Sequence, residues 1–193
     1  MKKLLLLLCF VFIHQVVYPV YFKHLGMSDG LSQVSVMSIY QDCLGRMWFG
    51  TREGVSIYDG ERMRVYKGWE NLDPESSINV LLGHECDHLT GNRQGDIFFR
   101  TCDSLVRYDI REEKFCVVSG CKAKTITSAD GDIWTGYDDM VCRYDEKGDS
   151  LQLYAKTNTP GISSLLISGK KIWIGTYEGL YVIEEDKKSP LSD

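Results

Sequence analysis

An internal repeat is the feature of this sequence that most restricts its fold. Four similar segments each contain an aromatic residue near a Gly- or Asp-containing turn, and these aromatic residues are Trp48, Phe98, Trp134 and Trp173. They recur at intervals of roughly 40 residues, a period typical of solenoids, propellers and other repeat arrays. We therefore expect similar units that pack against one another.

Hydrophobic alternation within the first repeat decides between these architectures. Short β-like runs begin at Val34, Met47, Val55 and Met63, and turn residues separate them. Four such runs in roughly 40 residues are typical of one propeller blade, whose strands we label A to D from the inside outward. Because a single blade has two open faces, blades must stack. Each strand B aromatic is therefore expected to be buried against the next blade rather than to bind sugar.

The sequence thus predicts an all-β fold of four β-propeller blades that form an incomplete, open propeller. A closed ring of four blades, completed by a strand near Tyr21–Leu25, is the alternative. The predicted divisions are a signal peptide (1–20), an N-terminal strand and lead-in (21–33), blade 1 (34–67), blade 2 with a long connecting loop (68–118), blade 3 (119–156), blade 4 without its outer strand (157–186) and a polar tail (187–193).

The N-terminus has the pattern of a secretory signal peptide. Lys2 and Lys3 precede an apolar run from Leu4 to Ile13. As a helix this run would be about 15 Å long, roughly half the thickness of a bilayer core. We expect a periplasmic or extracellular protein with no membrane span beyond this segment, and retention of the segment as an anchor is the alternative. In an exported chain the cysteines are compatible with disulfides or with buried thiols.

Charge and motifs argue against several functions. The chain has 22 basic and 27 acidic residues, so nucleic acid is not an expected partner. The segment His84–His88 satisfies the metalloprotease pattern H-E-x-x-H, but we expect it on a strand, whereas the motif requires a helix. The sequence therefore predicts no enzyme activity, no catalytic residue, no metal site and no cofactor.

Loops at one end of the propeller are the best candidates for ligand binding. The B–C and D–A loops of successive blades emerge together, and loops on a rigid scaffold often carry function. The predicted ligand-binding residues are Arg52, Glu53, Trp69, Asp103, Asp138, Tyr177 and Glu178. Trp69 lies outside the aromatic repeat, in the longest D–A connection, and is a candidate for stacking on a sugar. A lid packed on its own blade is the alternative for this residue.

The first repeat resembles the two-component regulator propeller repeat. The residues that carry the resemblance run from Asp29-Gly30-Leu31-Ser32 through Trp48-Phe49-Gly50-Thr51 to Tyr58-Asp59-Gly60. The fourth repeat also fits at Ile172–Leu180, whereas the second has Arg100 at a repeat glycine. Such repeats build the exported sensor regions of hybrid two-component histidine kinases. The resemblance therefore implies a periplasmic input domain that senses glycans, here a truncated one without a kinase.

Three functional interpretations follow. The first is an exported sensor module with an oligosaccharide ligand, as the resemblance implies. The second is a structural or protein-interaction propeller without a small-molecule ligand. The third is a propeller lyase or hydrolase that uses carboxylates of the channel. An open propeller also exposes two apolar blade faces, so self-association through those faces is expected.

Overall fold

The computed structural model describes residues 20–67, 85–102, 104–120 and 122–184. Apart from one turn of 3-10 helix at Met27–Asp29, all of their regular structure is β-strand. The strands form four antiparallel sheets, and the strand order in each sheet follows the order of the chain. The predicted all-β fold of four blades is confirmed.

Blades 1 to 3 each have four described strands, and blade 4 has three. Blade 1 contains β1 (Val36–Gln41), β2 (Met47–Thr51), β3 (Gly54–Tyr58) and β4 (Met63–Tyr66). Blade 2 contains β5 (Cys86–Gly91), β6 (Ile97–Thr101), β7 (Ser104–Asp109) and β8 (Lys114–Val117). Blade 3 contains β9 (Thr125–Ala129), β10 (Asp132–Tyr137), β11 (Met140–Asp145) and β12 (Ser150–Lys156). Blade 4 contains strands A to C as β13 (Ile162–Ser168), β14 (Lys171–Thr176) and β15 (Gly179–Glu184).

Side-chain caps shape the A–B turns. The carboxylate of Asp42 accepts the backbone N–H groups of Leu44 and Arg46 at 3.0 and 2.9 Å. Asn92 makes the same two bonds in blade 2, at 3.1 and 2.8 Å. Gly45 has a φ of 80°, a conformation that favours glycine. These turns reverse the chain between strands A and B.

The Tyr-Asp pair at the end of strand C begins the C–D turn. Asp59 accepts the backbone N–H groups of Glu61 and Arg62 at 2.9 and 2.8 Å. Asp109 and Asp145 cap the same turn in blades 2 and 3. The recurring aspartate therefore satisfies backbone donors that the tight turn would otherwise leave unpaired.

An apolar cluster fills each junction between consecutive blades. Trp48 of blade 1 is fully buried, and its ring lies 4.9 Å from that of Tyr108 in blade 2, edge to face. Phe98 of blade 2 is equally buried and packs in the same way on Tyr144 of blade 3, at 4.8 Å. At these two junctions the strand B aromatic of one blade thus contacts the strand C tyrosine of the next.

A buried carboxylate connects the first A–B turn to this core. Asp42 accepts the indole Nε1–H of Trp48 at 2.8 Å and Arg46 Nε–H at 2.7 Å. Burial would raise the pKa of Asp42, but these hydrogen bonds outweigh it and hold the pKa below its usual value. The carboxylate therefore stays ionised and fixes the orientation of the indole ring.

The arc of blades is open at both ends. Among the described residues, apolar clusters join blades 1 and 2, 2 and 3, and 3 and 4, and none joins blade 4 to blade 1. Trp173, the strand B aromatic of blade 4, is only half-buried. At the other end, Ile39 of blade 1 is 61% exposed. The predicted open propeller is therefore confirmed.

The N-terminal strand expected at Tyr21–Leu25 is not formed, so this prediction is wrong. Residues 20–26 contain no strand, and Lys23 Nζ donates to the hydroxyl of Tyr58 in blade 1 at 2.9 Å. In an open arc this segment has no neighbouring last blade to complete. The predicted signal peptide, apart from residue 20, and the polar tail lie outside the described residues. Within the described ranges, no helix has the length and hydrophobicity needed to cross a membrane.

Replacing Phe98 by alanine should strongly destabilise the protein. The side chain is fully buried between two blades, so we expect the free energy of unfolding to fall by about 3–5 kcal/mol. Tyr177 is 73% exposed, and Tyr177→Ala should cost less than about 1 kcal/mol. Urea unfolding followed by tryptophan fluorescence measures both values. Equal losses for the two variants would contradict the packing described here.

Candidate functional site

The B–C loops lie at one end of the blades, together with the ends of the strand D segments. Glu53 in the first B–C loop is 3.8 Å from Lys67, which follows β4. The backbone N–H of Thr157, after β12, donates to the carbonyl of Asp139 at 2.7 Å. We call this end the B–C face, and its loops include residues 52–53, 138–139 and 177–178.

The described part of the predicted ligand-binding set lies on the B–C face. It consists of Arg52, Glu53, Asp138, Tyr177 and Glu178. All are exposed except Glu53, which is half-buried. Trp69 and Asp103 lie outside the described residues. The structure therefore places the described members at the same end of the molecule, in loops of three blades.

Threonine caps give two of these loops the same geometry. Thr51 Oγ1 donates to the carbonyl of Gly54 at 3.0 Å and accepts the N–H of Glu53 at 3.1 Å. Thr176 makes the equivalent bonds in blade 4, at 3.1 and 3.2 Å. The pairs Arg52-Glu53 and Tyr177-Glu178 therefore occupy equivalent positions at the tips of their loops.

Lysines near the ends of strands D face the carboxylates of the B–C loops. Lys67 lies 3.8 Å from Glu53, and Lys156 lies 3.9 Å from Asp139. These pairs are long and partly exposed, so each contributes little to stability. The side chains of Glu53 and Asp139 are 39% and 33% exposed, so their carboxylates are accessible to polar groups of a ligand.

Two lysine–tyrosine pairs occupy the B–C face of blades 3 and 4. Lys124 Nζ donates to the hydroxyl of Tyr177 at 2.9 Å. Lys122 Nζ lies 5.5 Å from the centre of the Tyr137 ring. Gly161 lies against the Tyr177 ring, because a Cβ at Gly161 would be 2.6 Å from Tyr177 Cδ2. The largely exposed ring of Tyr177 is thus positioned by two neighbours and still presents an aromatic surface to solvent.

Three blades pair a small polar residue on strand A with a glycine on strand B at the B–C end. The pairs are Ser38 with Gly50, Thr125 with Gly136, and Ser164 with Gly175. A Cβ on Gly136 would lie 2.5 Å from Ile162 Cγ2 of the next blade. Glycine at this position therefore permits the close approach of neighbouring blades.

Blade 2 replaces this small pair with two charged residues, Asp87 and Arg100. Arg100 Nε donates to Asp87 Oδ1 at 2.7 Å, and a second guanidinium nitrogen bonds the other carboxylate oxygen. The ring Nδ1 of His88 lies 2.9 Å from Asp87 Oδ1. No role for this cluster was predicted from the sequence, although an arginine at a repeat glycine was its visible signal.

The charged cluster changes the acidity of its carboxylate. Burial alone would raise the pKa of Asp87, but hydrogen bonds from Arg100 and His88 outweigh it and lower the pKa to about 2. The aspartate is therefore ionised at neutral pH. It acts as an acceptor and is unsuited to general acid chemistry.

The H-E-x-x-H segment does not have the geometry of a metalloprotease. Its described part lies at the start of β5, and His88 has a φ of 53° within an irregular stretch of that strand. Burial raises the pKa of the Cys86 thiol to about 12, so the sulfur is protonated at neutral pH. No group of three or more potential metal ligands occurs in the described ranges, and His84 lies outside them.

A polar groove of about 520 Å³ lies at the opposite end, between blades 2 and 3. Its lining includes Gln94, Arg143, Tyr144, Gln152 and Tyr154. Arg143 is paired with Asp132 at 2.7 Å on its rim. No ligand residue was predicted at this end, because the groove exists only where an A–B turn meets the outer strands of the next blade.

Arg107 forms an ion-pair network beside this groove. Its Nη1 lies 3.1 Å from both Asp96 and Asp109, and its Nη2 lies 3.1 Å from Asp149 of blade 3. Burial would lower the pKa of Arg107, but the surrounding carboxylates raise it overall. The network links blades 2 and 3, so its geometry accounts for these charges without a ligand.

Comparison with known proteins gives matches to signalling proteins. The chain matches no protein-family model. It is 41% identical over 59 residues to histidine kinase P4 of Formosa agariphila. The aligned residues make up 31% of this chain and 4% of that protein. The extracellular domain of the hybrid two-component system BT3049 from B. thetaiotaomicron has a TM-score of 0.73 and 25% identity, with 86% of this chain and 25% of that chain covered. The extracellular domain of BT4673 from the same organism has a TM-score of 0.68 and 16% identity, with 89% of this chain and 23% of that chain covered. At this identity the match shows similarity of fold alone.

The chain resembles the extracellular regions of hybrid two-component systems. The resemblance expected from the repeat residues is thereby confirmed. The chain spans 25% and 23% of the two matched structures and 4% of the matched kinase. The regions matched in the solved structures are extracellular domains of signalling systems.

Replacing Asp87 by asparagine should reduce the loss of stability in acid. The folded-state pKa of about 2 lies below the roughly 3.9 of an unfolded aspartate. The carboxylate therefore stabilises the fold above about pH 4, and this contribution of about 2–3 kcal/mol is lost as the pH falls towards 2. Urea unfolding between neutral pH and about pH 2 measures the effect. Asp138→Asn, an exposed aspartate at the same end, is the control, and parallel pH profiles for wild type and Asp87→Asn would refute the prediction.

Proposed function

We propose that this chain is the ligand-recognition part of an exported sensor and that it binds a glycan fragment at the B–C face. The observation that carries the proposal is the set of exposed side chains held there on capped turns. Arg52 and Tyr177 occupy equivalent loop positions in blades 1 and 4. The likeness to extracellular domains of hybrid two-component systems supports the sensing role.

The side-chain chemistry of this face suits a sugar. Tyr177 presents an aromatic surface on which the C–H groups of a pyranose ring can pack. Its neighbour Glu178 is exposed, and the carboxylates of Glu53 and Asp139 are paired only loosely with lysines. Carboxylates accept hydrogen bonds from sugar hydroxyls, and Arg52 donates them. An extended oligosaccharide fits this arrangement better than a compact metabolite, since the groups are spread over several blades.

The proposed location is periplasmic or extracellular. The Lys2-Lys3 pair followed by an apolar run supports export, and the matched domains are extracellular. The matches cover only part of the related proteins. The proposal therefore concerns recognition of the ligand and leaves transmission of the signal to other domains of such systems.

Calorimetric titration with a panel of neutral and uronic-acid oligosaccharides tests this proposal. We expect saturable binding of at least one class by the full chain. Tyr177→Ala, Arg52→Ala and Trp69→Ala should each weaken that binding by about tenfold or more, equivalent to about 1.4 kcal/mol, because each removes a contact group of the ligand.

Gln152→Ala is the matched control, because Gln152 lines the groove at the opposite end. This variant should bind like the wild type. Absence of binding across the panel would refute glycan sensing. Loss of binding in Gln152→Ala with retention in Tyr177→Ala would place the ligand in the groove and refute the B–C face as the site.

A further inference from the structure

Blade 4 exposes an apolar surface whose equivalents in blades 1 to 3 are buried. Leu166, Trp173 and Val182 form one cross-strand row on its outward side. Leu166 is 59% and Val182 43% exposed, and neighbouring Leu180 is 66% exposed. We call this surface the forward face of blade 4, because the equivalent surfaces of blades 1 to 3 each pack against the following blade.

Blade 1 exposes the complementary surface. Ile39 pairs with Phe49 on the side opposite Trp48, and Tyr58 lies on that same side. We call this the rear face of blade 1. The rear face of blade 2 contributes Ile97, Phe99 and Tyr108 to its junction, and the rear face of blade 3 contributes Ile133 and Tyr144. All five residues are buried.

The recurring aromatic pair is split between these two faces. Inside the protein, Trp48 packs on Tyr108 and Phe98 packs on Tyr144, at 4.9 and 4.8 Å. Trp173 is the equivalent strand B aromatic in blade 4, and the described chain provides no following blade for it. Tyr58 is the equivalent strand C tyrosine in blade 1, and within the described ranges no preceding strand B aromatic packs on it. Each end of the arc thus presents one half of the same contact.

The segment before β1 lies along the rear face of blade 1. Lys23 Nζ is 5.3 Å from the centre of the Tyr58 ring, so Lys23 must leave the ring when the two faces join. Ser32 is buried, and its backbone N–H donates to Ser56 Oγ on the rear face at 2.9 Å. The corresponding segment before β9 places Val118 and Ala123 inside the cluster between blades 2 and 3. A lead-in segment is therefore a regular part of a blade junction.

The charges at the edges of the two faces are also complementary. Within the protein, the A–B turn of blade 2 contacts the C–D turn of blade 3, where Gln94 Nε2 donates to Glu146 at 2.6 Å. The A–B turn of blade 4 carries Lys170 and Lys171, and Lys171 lies 3.2 Å from Glu184 of the same blade. The C–D turn of blade 1 carries Asp59, Glu61 and Arg62, and so has one more acidic than basic side chain. Opposite charges would therefore meet where these two turns are brought together.

We propose that the occupant of these faces is a second copy of this chain, bound head to tail. Trp173 of one copy packs on Tyr58 of the other, and the same contact forms in the reverse direction. Two copies joined at both faces form a ring of eight blades, within the roughly four to eight blades of known propellers. This inference does not depend on the proposed glycan ligand.

Sedimentation velocity of the full chain over a range of concentrations tests the proposal. The wild type should sediment as a dimer at high concentration. Trp173→Glu and Tyr58→Glu should each weaken dimerisation by about tenfold or more, because either charge would be buried at the junction. Val117→Glu is the matched control, since Val117 is 54% exposed but lies on strand D of blade 2, away from both faces.

Mixing the two variants distinguishes a head-to-tail contact from other modes. Each variant retains one intact face, so an equimolar mixture should form a dimer through Tyr58 of one variant and Trp173 of the other. Circular dichroism of the separate variants verifies that they are folded. A wild type that stays monomeric, a Tyr58→Glu variant that dimerises normally, or a folded mixture that does not associate would each overturn the proposal.

Discussion

Packing of a strand B aromatic against the following blade is the interaction on which the whole fold depends. A blade buries one face only when a neighbour covers it, so no blade in this chain is a self-sufficient unit. Each aromatic anchor removes roughly 150–250 Å² from water, equivalent to about 4–6 kcal/mol. Trp48 and Phe98 obtain this burial completely, whereas Trp173 obtains only part of it. The stability of the arc is therefore concentrated at its junctions.

Close approach of the backbones completes these junctions at the B–C end. Gly50 and Gly136 leave room where a Cβ would collide with Cys86 or Ile162 of the following blade. Blade 2 departs from this rule with the Asp87–Arg100 ion pair. The ionised form of Asp87 is more stable here than the protonated form, but the ion pair is not thereby more stabilising than an uncharged pair, because removing charges from water opposes the attraction between them. The pair gives blade 2 a polar contact where its neighbours use small side chains.

The repeat made much of the fold predictable. The recurring Gly, Asp and Tyr residues indicate where the chain turns. The alternation of apolar and polar residues along each strand indicates which face of a blade packs against its neighbour. The N-terminal strand was a wrong prediction, since whether Tyr21–Leu25 pairs with a sheet depends on closure of the ring, a long-range property. The Asp87–Arg100 cluster was equally hard to foresee, because the irregular pairing around His88 determines which side chains of β5 and β6 meet. The groove beside Arg143 arises only when two blades adjoin.

The B–C loops lie outside the three apolar clusters, and this separation bears on how such a scaffold diversifies. Equivalent loop positions carry a cation at Arg52, an anion at Asp138 and an aromatic ring at Tyr177. The backbone conformation at these positions is determined by the turn and by the blade beneath it, so side chains of different chemistry are accommodated. New binding specificities can therefore arise by substitution in one loop at a time, while the apolar clusters between blades stay unaltered.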